Sequence, residues 1–376
     1  MSRDKIVFIS DLHMGAGVGI DWLTLDARKQ AAAFLSGLPT DDPTVGRLVL
    51  VGDTLDNWVW KDLGSQPPTF AQILALADNA AIVSAINSLI GNDVRVTFVQ
   101  GNHDMDAWAD LQPALQAAMP GIEYVADGVE IGPLWAEHGS RLAMFTAPDF
   151  KHDPGRGLPL GYFITRVHEA GLGKKKGASP VGATVGDVLR VYLLQYLGME
   201  IQHATKAAMA GAQEKTMAAS FIDKRLAEWV FKAIVANAGY KLADRVTMPG
   251  GSTLKLGDVA NRYGDLYEDK EKELGKKRAL RALVAEVDRM EPVARDVAEQ
   301  RHKKAVLFGH SHKADLDTPP PLFYLNDGCF LRDTRGAFPR YPHFVRAAPV
   351  DGRWELSVWR LGRDGAREKY GAATVG

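Results

Sequence analysis

Short apolar runs that each stop at an aspartate, asparagine or histidine constrain this chain more than any other feature. Lys5-Ile-Val-Phe-Ile-Ser10 ends at Asp11-Leu12-His13, and Arg47-Leu-Val-Leu-Val51 ends at Gly52-Asp53-Thr54-Leu55-Asp56. Val94 to Val99 leads into Gly101-Asn102-His103-Asp104. Leu134-Trp-Ala-Glu delivers His138, and Lys304-Ala-Val-Leu-Phe308 delivers Gly309-His310-Ser311-His312. Runs this short and apolar, the first of them rich in β-branched residues, read as strands buried on both faces. Helical spacing fills residues 21–37, stopping near Gly37-Leu38-Pro39, and residues 70–90, closed by Gly91-Asn92. Strand, helix, strand, helix, strand is an α/β pattern, and such sheets carry ligand groups at the carboxyl ends of their strands.

The 376 residues suffice for one large or two medium domains, and 46% hydrophobic with 24% charged residues is a globular composition. A formal charge of −1 gives no global basic field, so nucleic acid is not an expected partner. The lone cysteine, Cys329, allows no intrachain disulfide and reads as a small buried hydrophobe. Lys5 to Ser10 already folds as a strand, so no signal peptide is expected ahead of it. No apolar run approaches the roughly 20 residues that span a bilayer. The expectation is a soluble, cytoplasmic protein.

Between residues 150 and 303 the rhythm changes. Residues 150–185 are rich in Gly and Pro and include Lys174-Lys175-Lys176, which reads as a loop or lid base with a solvated lysine run. Residues 186–240 are helical, with apolar faces from Val188, Leu189, Tyr192, Leu193 and Tyr196, then Phe221, Leu226, Trp229 and Val230. With Leu197 and Met199, the first of these faces suits a buried helix better than a membrane surface. Residues 265–303 are a charged helical stretch interrupted at Pro292. Leu322 to Leu325 and Trp354 to Trp359 read as strands of a second sheet. Residues 1–149 and 304–376 therefore form one α/β core, and residues 150–303 are a mainly helical insertion that caps the site, packs on the core or makes a dimer. Trp58 and Trp60 either stack on a substrate or fill the core, core packing being the commoner fate.

Five of the ten histidines (His13, His103, His138, His310 and His312) fall just beyond apolar strands, beside Asp11, Asp53 and Asn102 in equivalent places. One such histidine is ordinary; five together point to a metal site. Carboxylate, amide and imidazole ligands suit manganese, iron, zinc or cobalt better than calcium. Two metals roughly 3.5–4 Å apart need a bridging ligand, which a carboxylate provides, and a hydroxide held between them is a nucleophile at neutral pH.

Asp11-x-His13, Gly52-Asp53-x-x-Asp56, Gly101-Asn102-His103-Asp104, His138 and Gly309-His310-x-His312 resemble the five ordered motifs of the calcineurin-like metallophosphoesterases. The resemblance covers residues 5–138 and 304–330. It implies a four-layered α/β/β/α sandwich and two divalent or mixed-valence metal ions, manganese first, with iron, zinc or cobalt as alternatives. One metal would take Asp11, His13, Asp53 and His312. The other would take Asp53 as the bridge with Asn102, His138 and His310. His103 would donate a proton to the leaving oxygen or stabilise charge on the phosphate, Asp104 would orient His103, and Asp56 would be a structural hydrogen-bonder. The implied activity is hydrolysis of a phosphodiester or phosphomonoester of small-molecule type. Gly52-Asp53-Thr54-Leu55-Asp56-Asn57-Trp58 and the helical insertion are also similar to UDP-2,3-diacylglucosamine diphosphatases, which makes pyrophosphate hydrolysis on a nucleotide-linked lipid or sugar the alternative. Those enzymes commonly carry arginine at the place of His103 and His-Gly-Asp where this chain has His138-Gly139-Ser140. A non-catalytic scaffold of the same fold is the reading from another class, and the full ligand set argues against it.

Overall fold

The computed structural model describes residues 3–17, 19–174, 188–192, 225–287, 290–317, 323–331 and 341–376. β1 (Lys5–Ile9), β2 (Val45–Val51), β3 (Arg95–Val99) and β4 (Glu123–Val125) pair side by side in parallel. β5 (Val129–Ile131) and β6 (Leu134–Ala136) begin a second sheet. It continues through β9 (Ala305–Phe308), parallel to β6, then β11 (Phe323–Asp327) and β10 (Ala314–Asp317). A separate hairpin joins β7 (Arg245–Thr247) to β8 (Thr253–Lys255).

The strand alternation assigns the layers. On β1, Ile6 and Phe8 face the second sheet, where they meet Ile131, Leu134, Ala136, Leu307 and Leu325. Val7 and Ile9 point the other way, into a core closed by Leu35, Ile82, Ile86 and Leu115. Those four come from helices α1 (Leu25–Asp41), α3 (Ala80–Gly91) and α4 (Leu111–Ala118). On the outer face of the second sheet, Trp135, Val306, Phe308 and Tyr324 pack on Val293, Ala294 and Val297 of α10 (Glu291–Arg301). Helices, sheet, sheet, helix: the chain is a four-layered α/β/β/α sandwich.

Three details depart from the sequence reading. Trp354 to Trp359 does not join the second sheet. β12 (His343–Val350), β13 (Arg353–Leu361) and β14 (Arg367–Val375) extend the first sheet from β1, antiparallel, and so cover what would be its open edge. The helix expected over 70–90 is broken into α2 (Phe70–Ala75) and α3, with Leu76 in extended conformation and a 3₁₀ turn over Ala77–Asn79. Buried Asn79 is the cause: its amide donates to the carbonyls of Ile73 and Gly15, and its oxygen takes a hydrogen bond from Arg28. α1 starts later than expected, at the Thr24 cap that accepts from the Ala27 N–H, and runs on through Pro39 to Asp41. Proline in a last turn forfeits one intrahelical bond without forcing the chain out of the helix.

In the 150–303 segment lie α5 (Leu160–Lys174), α6 (Leu226–Asn237), α7 (Leu256–Arg262), α8 (Leu266–Leu274) and α9 (Lys276–Val287). Gly275 ends α8 at φ +80°, and Pro292 sits in the first turn of α10, where its missing N–H is not needed. α5 to α9 build a core of their own from residues such as Phe163, Val230, Phe231, Val259 and Leu283, into which Trp58, Met105 and Phe145 of the sandwich also project. Tyr192 is buried, with its hydroxyl accepting from Asn237 Nδ2 at 2.7 Å. Lys174 lies over the Tyr240 ring and donates to the Gly239 carbonyl. Lys175, Lys176, Leu193, Tyr196, Leu197, Met199 and Phe221 lie outside the described residues. Cys329 is buried. Among the described residues no helix is long and apolar enough to cross a membrane.

Candidate metal centre

β1, β2 and β3 run parallel in one sheet, and β6 and β9 run parallel in the other. The residues just past their carboxyl ends meet at one place. Asp11 and His13 follow β1, Asp53 follows β2, Asn102 and His103 follow β3, His138 follows β6, and His310 and His312 follow β9. All but His310 are buried.

The backbone there is strained. Of the nine non-glycine residues with positive φ among those described, five are Asp11, His13, Asp53, His310 and His312, at φ from 48° to 65°. A left-handed conformation costs an L-residue roughly 1–2 kcal/mol, so five at one locus are held there by the surrounding fold. Three glycines leave the necessary room. A Cβ on Gly52 would strike the His138 ring, one on Gly101 the Asp53 carboxylate and backbone, and one on Gly309 the side chains of Ser10 and Asp11.

Two ligand groups share Asp53. In the first, His312 Nε2 lies 3.0 Å from Asp11 Oδ1 and 3.0 Å from His13 Nε2. In the second, His138 Nε2 lies 3.2 Å from Asp53 Oδ2 and 3.1 Å from Asn102 Oδ1. Asp53 Oδ2 is also 3.8 Å from His13 Nε2, so one carboxylate oxygen faces both groups. Asp11, His13 and His312 could hold one cation, and Asp53, His138 and His310 another.

Hydrogen counting shows that these atoms suit a cation. His138 Nδ1 lies 2.9 Å from the Val51 carbonyl, which can only accept, so Nδ1 carries the hydrogen and Nε2 offers a lone pair to the oxygens of Asp53 and Asn102. His13 Nδ1 lies 2.9 Å from the Asp56 carboxylate, which leaves the His13 Nε2 lone pair facing His312 and Asp11. Asp11 Oδ1 is buried with no hydrogen-bond donor. Acceptors pointed at acceptors repel unless a proton or a metal ion lies between them.

In the metal-free protein, protons fill that role. Burial alone would raise the carboxyls of Asp11, Asp53 and Asp56, but the neighbouring imidazoles outweigh it and hold all three below the ordinary range. Burial would likewise depress the histidines, yet the surrounding carboxylates lift His13 to about 10 and His138 to about 9. His310, half-buried, loses enough water beside the His138 charge to fall to about 3.

Asp104 does not orient His103. Its carboxylate accepts from the backbone N–H groups of Gly101 (2.6 Å), Thr54 (2.8 Å) and Leu55 (3.2 Å), and so ties the loop after β3 to the loop after β2. Three residues past Gly101, it reaches its own turn before it can reach the ring. Asp56 takes the assigned place, with Oδ2 2.9 Å from His103 Nδ1 in a bent, electrostatic contact, while its Oδ1 accepts from Trp58 N and Val59 N. The Gly-Asp-x-x-Asp spacing singled out Asp56 but not this partner.

Trp58 was marked by the sequence, whereas Trp22, Ser10 and Asp327 left little trace there. Trp58 stacks on His103 at 4.5 Å between ring centres, so it is both core and site wall. Trp22 covers His13 at 4.7 Å and His103 at 5.1 Å. Ser10 Oγ lies between Asp11 Oδ2 and Asp327 Oδ1. One hydroxyl hydrogen cannot serve two carboxylates, and burial raises the Asp327 carboxyl well above its usual range.

No protein-family model matches the chain, and no curated protein sequence does. Comparison with solved structures returns Vps29 from Cryptosporidium parvum, at 12% identity and a TM-score of 0.35, over 99% of this chain and 98% of that one. A conserved Streptococcus pneumoniae protein described as a predicted phosphoesterase aligns at 10% identity and a TM-score of 0.32, over 99% and 96%. A Vps29 variant from Entamoeba histolytica aligns over 23% of this chain and 47% of its own, at 16% identity and a TM-score of 0.19. The four layers of this chain, and the strand ends that meet at one place, are those implied by the resemblance of its motifs to the calcineurin-like metallophosphoesterases.

Proposed function

We propose that this chain is a metal-dependent phosphoesterase with a dinuclear site. The supporting observation is the convergence of lone pairs from five strand ends around the shared Asp53 Oδ2. Asp11, His13, Asp53 and His312 would hold one ion, and Asp53, Asn102, His138 and His310 the other. Divalent ions there would draw in the anionic phosphate, polarise its oxygens and bring the pKa of water toward neutrality. Such local charge is needed, because a chain with 45 Lys and Arg against 46 Asp and Glu offers an anion no overall attraction.

His103 is the proton donor in this reading. Trp58 fixes the plane of its ring, and Asp56 beside Nδ1 leaves Nε2 as the end that hands a proton to the departing oxygen. Asp53, Asn102, His103 and His138 are all nearly inaccessible to solvent, a setting that strengthens the charge interactions made there.

Metal-stripped protein with Mn²⁺ restored, offered bis-p-nitrophenyl phosphate and p-nitrophenyl phosphate beside Asn102→Ala and His103→Ala, tests the reading. Metal-dependent turnover that Asn102→Ala abolishes supports it, and the ratio of the two substrates separates diesterase from monoesterase. Bound metal without turnover on either ester directs the search to pyrophosphate links in nucleotide-carried lipids or sugars. Failure to bind metal overturns the proposal and leaves a binding module.

A further inference from the structure

One face of α5 reaches the loops on both sides of His103. Tyr162, Arg166 and Glu169 follow one another at i, i+4 and i+7, a single helical stripe, and each is no more than 5% exposed. Solvated residues are the usual occupants of a polar stripe; a buried arginine and a buried glutamate on one need partners.

The partners belong to the loops after β1 and β2. Glu169 Oε1 accepts from Trp22 Nε1 at 3.2 Å, and Trp22 packs on His103 and His13. Tyr162 meets Trp58 edge-on at 5.6 Å, and Trp58 stacks on His103. Arg166 bonds the Tyr162 hydroxyl at 2.9 Å and the carbonyls of Asp62 (3.1 Å) and Ser65 (3.4 Å), which follow Trp58 in the same loop. Each tryptophan touching His103 is therefore braced from α5, one by a hydrogen bond and one by a ring contact.

We propose that Tyr162 and Glu169 are positioning residues that hold the His103 ring through Trp58 and Trp22, so that the helical segment sets the proton donor's aim. This rests on the reading of His103 as the acid given above. None of the three α5 side chains is a metal ligand in that reading, and the clamp acts on the ring. A displaced acid harms most the esters whose leaving oxygen needs its proton, which gives the inference a signature distinct from general loss of structure. Misplacement by an ångström can cost on the order of 100-fold in rate.

The test uses the full chain, loaded with Mn²⁺, as Trp22→Phe, Glu169→Gln and Tyr162→Leu variants, on p-nitrophenyl and phenyl esters of the same phosphate. Trp22→Phe keeps a ring but loses the N–H, and Glu169→Gln keeps the acceptor. The expected result is a fall in kcat for the phenyl ester about tenfold larger than for the p-nitrophenyl ester in Trp22→Phe and Tyr162→Leu, with KM and metal content unchanged. Glu169→Gln should stay within about threefold of the parent. In the metal-free protein labelled with ¹⁵N-histidine, the His103 ring resonance, assigned by its absence in His103→Gln, should move in the same two variants. If Tyr162→Leu does not fold, Trp22→Phe decides. Equal slowing of both esters with an unmoved His103 resonance overturns the inference. A parent with no turnover sinks the phosphoesterase reading instead, and the resonance alone then decides whether α5 holds the ring.

Discussion

Asp56 Oδ2 stands 2.9 Å from His103 Nδ1 and, at the same distance, from His13 Nδ1. One carboxylate oxygen thus fixes both the residue proposed to give the proton and a residue proposed to hold a metal. Outer partners of this kind set ring orientation and ligand basicity, and their loss typically costs about 10- to 100-fold in metal affinity or activity. Asp56→Asn should therefore lower kcat and metal affinity together. Asp104→Asn should leave metal affinity close to the parent and lower thermal stability, because its carboxylate serves three backbone N–H groups. Metal titration by calorimetry beside a melting curve checks both. Loss of metal binding in Asp104→Asn with full binding in Asp56→Asn would reverse the assignment.

A second expectation concerns protons. His13 and His138, lifted to about 10 and about 9, both carry an extra proton at pH 7 in the metal-free protein. Metal ions must displace these protons, so apparent affinity should rise with pH between 6 and 9, by up to about tenfold per unit for each proton displaced. The sign for stability is opposite. Both groups titrate higher folded than unfolded, so their contribution to the metal-free fold is complete below about 6.5 and is lost as pH rises through 9 to 10. Calorimetry in two buffers of different ionisation enthalpy measures the protons released; a count near zero contradicts the lone-pair argument.

Strain offers a third. His310 is held at φ 65°, and its ring makes a 3.3 Å contact with Thr146 Oγ1. Glycine adopts that backbone freely, whereas alanine keeps the penalty. His310→Gly should be more stable than His310→Ala by about 1 kcal/mol, with metal affinity weakened alike in both. Denaturant unfolding of the metal-free variants reads the difference. An alanine variant as stable as the glycine one would show that the turn is not strained.

What the sequence disclosed and what it concealed divide by range along the chain. The strand ends were legible because β-branched runs and the Asp, Asn or His that stops them are neighbours, and Gly52, Gly101 and Gly309 sit beside the ligands whose approach they permit. The braces were not. Trp22 and Glu169 are 147 residues apart, Ser10 and Asp327 are 317 apart, and nothing local to either partner marks the pairing. Register failed in the same way: the alternation in Trp354 to Trp359 predicts a strand but not that β12 carries it to the edge of β1. The break at Leu76 was hidden because Asn79 takes its partners from Gly15 and Arg28 on other elements.

The last expectation sits behind the site. Glu286 of α9 accepts from the Phe145 N–H at 2.9 Å and from Thr146 Oγ1 at 3.1 Å, and Thr146 in turn meets His310. Burial raises its carboxyl from the usual 4.5 to about 7, against the opposing pull of those two bonds. A carboxyl that titrates higher in the folded chain keeps a proton that the unfolded chain has released. Its contribution to stability is thus whole below about 4.5 and is lost as pH rises through about 7. At about 1.4 kcal/mol per unit, the ceiling on that loss is roughly 3–4 kcal/mol. Glu286→Gln cannot ionise, yet its amide oxygen still accepts from Phe145 and Thr146. The variant should match the parent near pH 5, exceed it at pH 8, and show a flatter stability profile between them. Denaturation midpoints of the metal-free proteins across that range measure this directly, and parallel profiles would mean that Glu286 already ionises in the folded chain at acid pH.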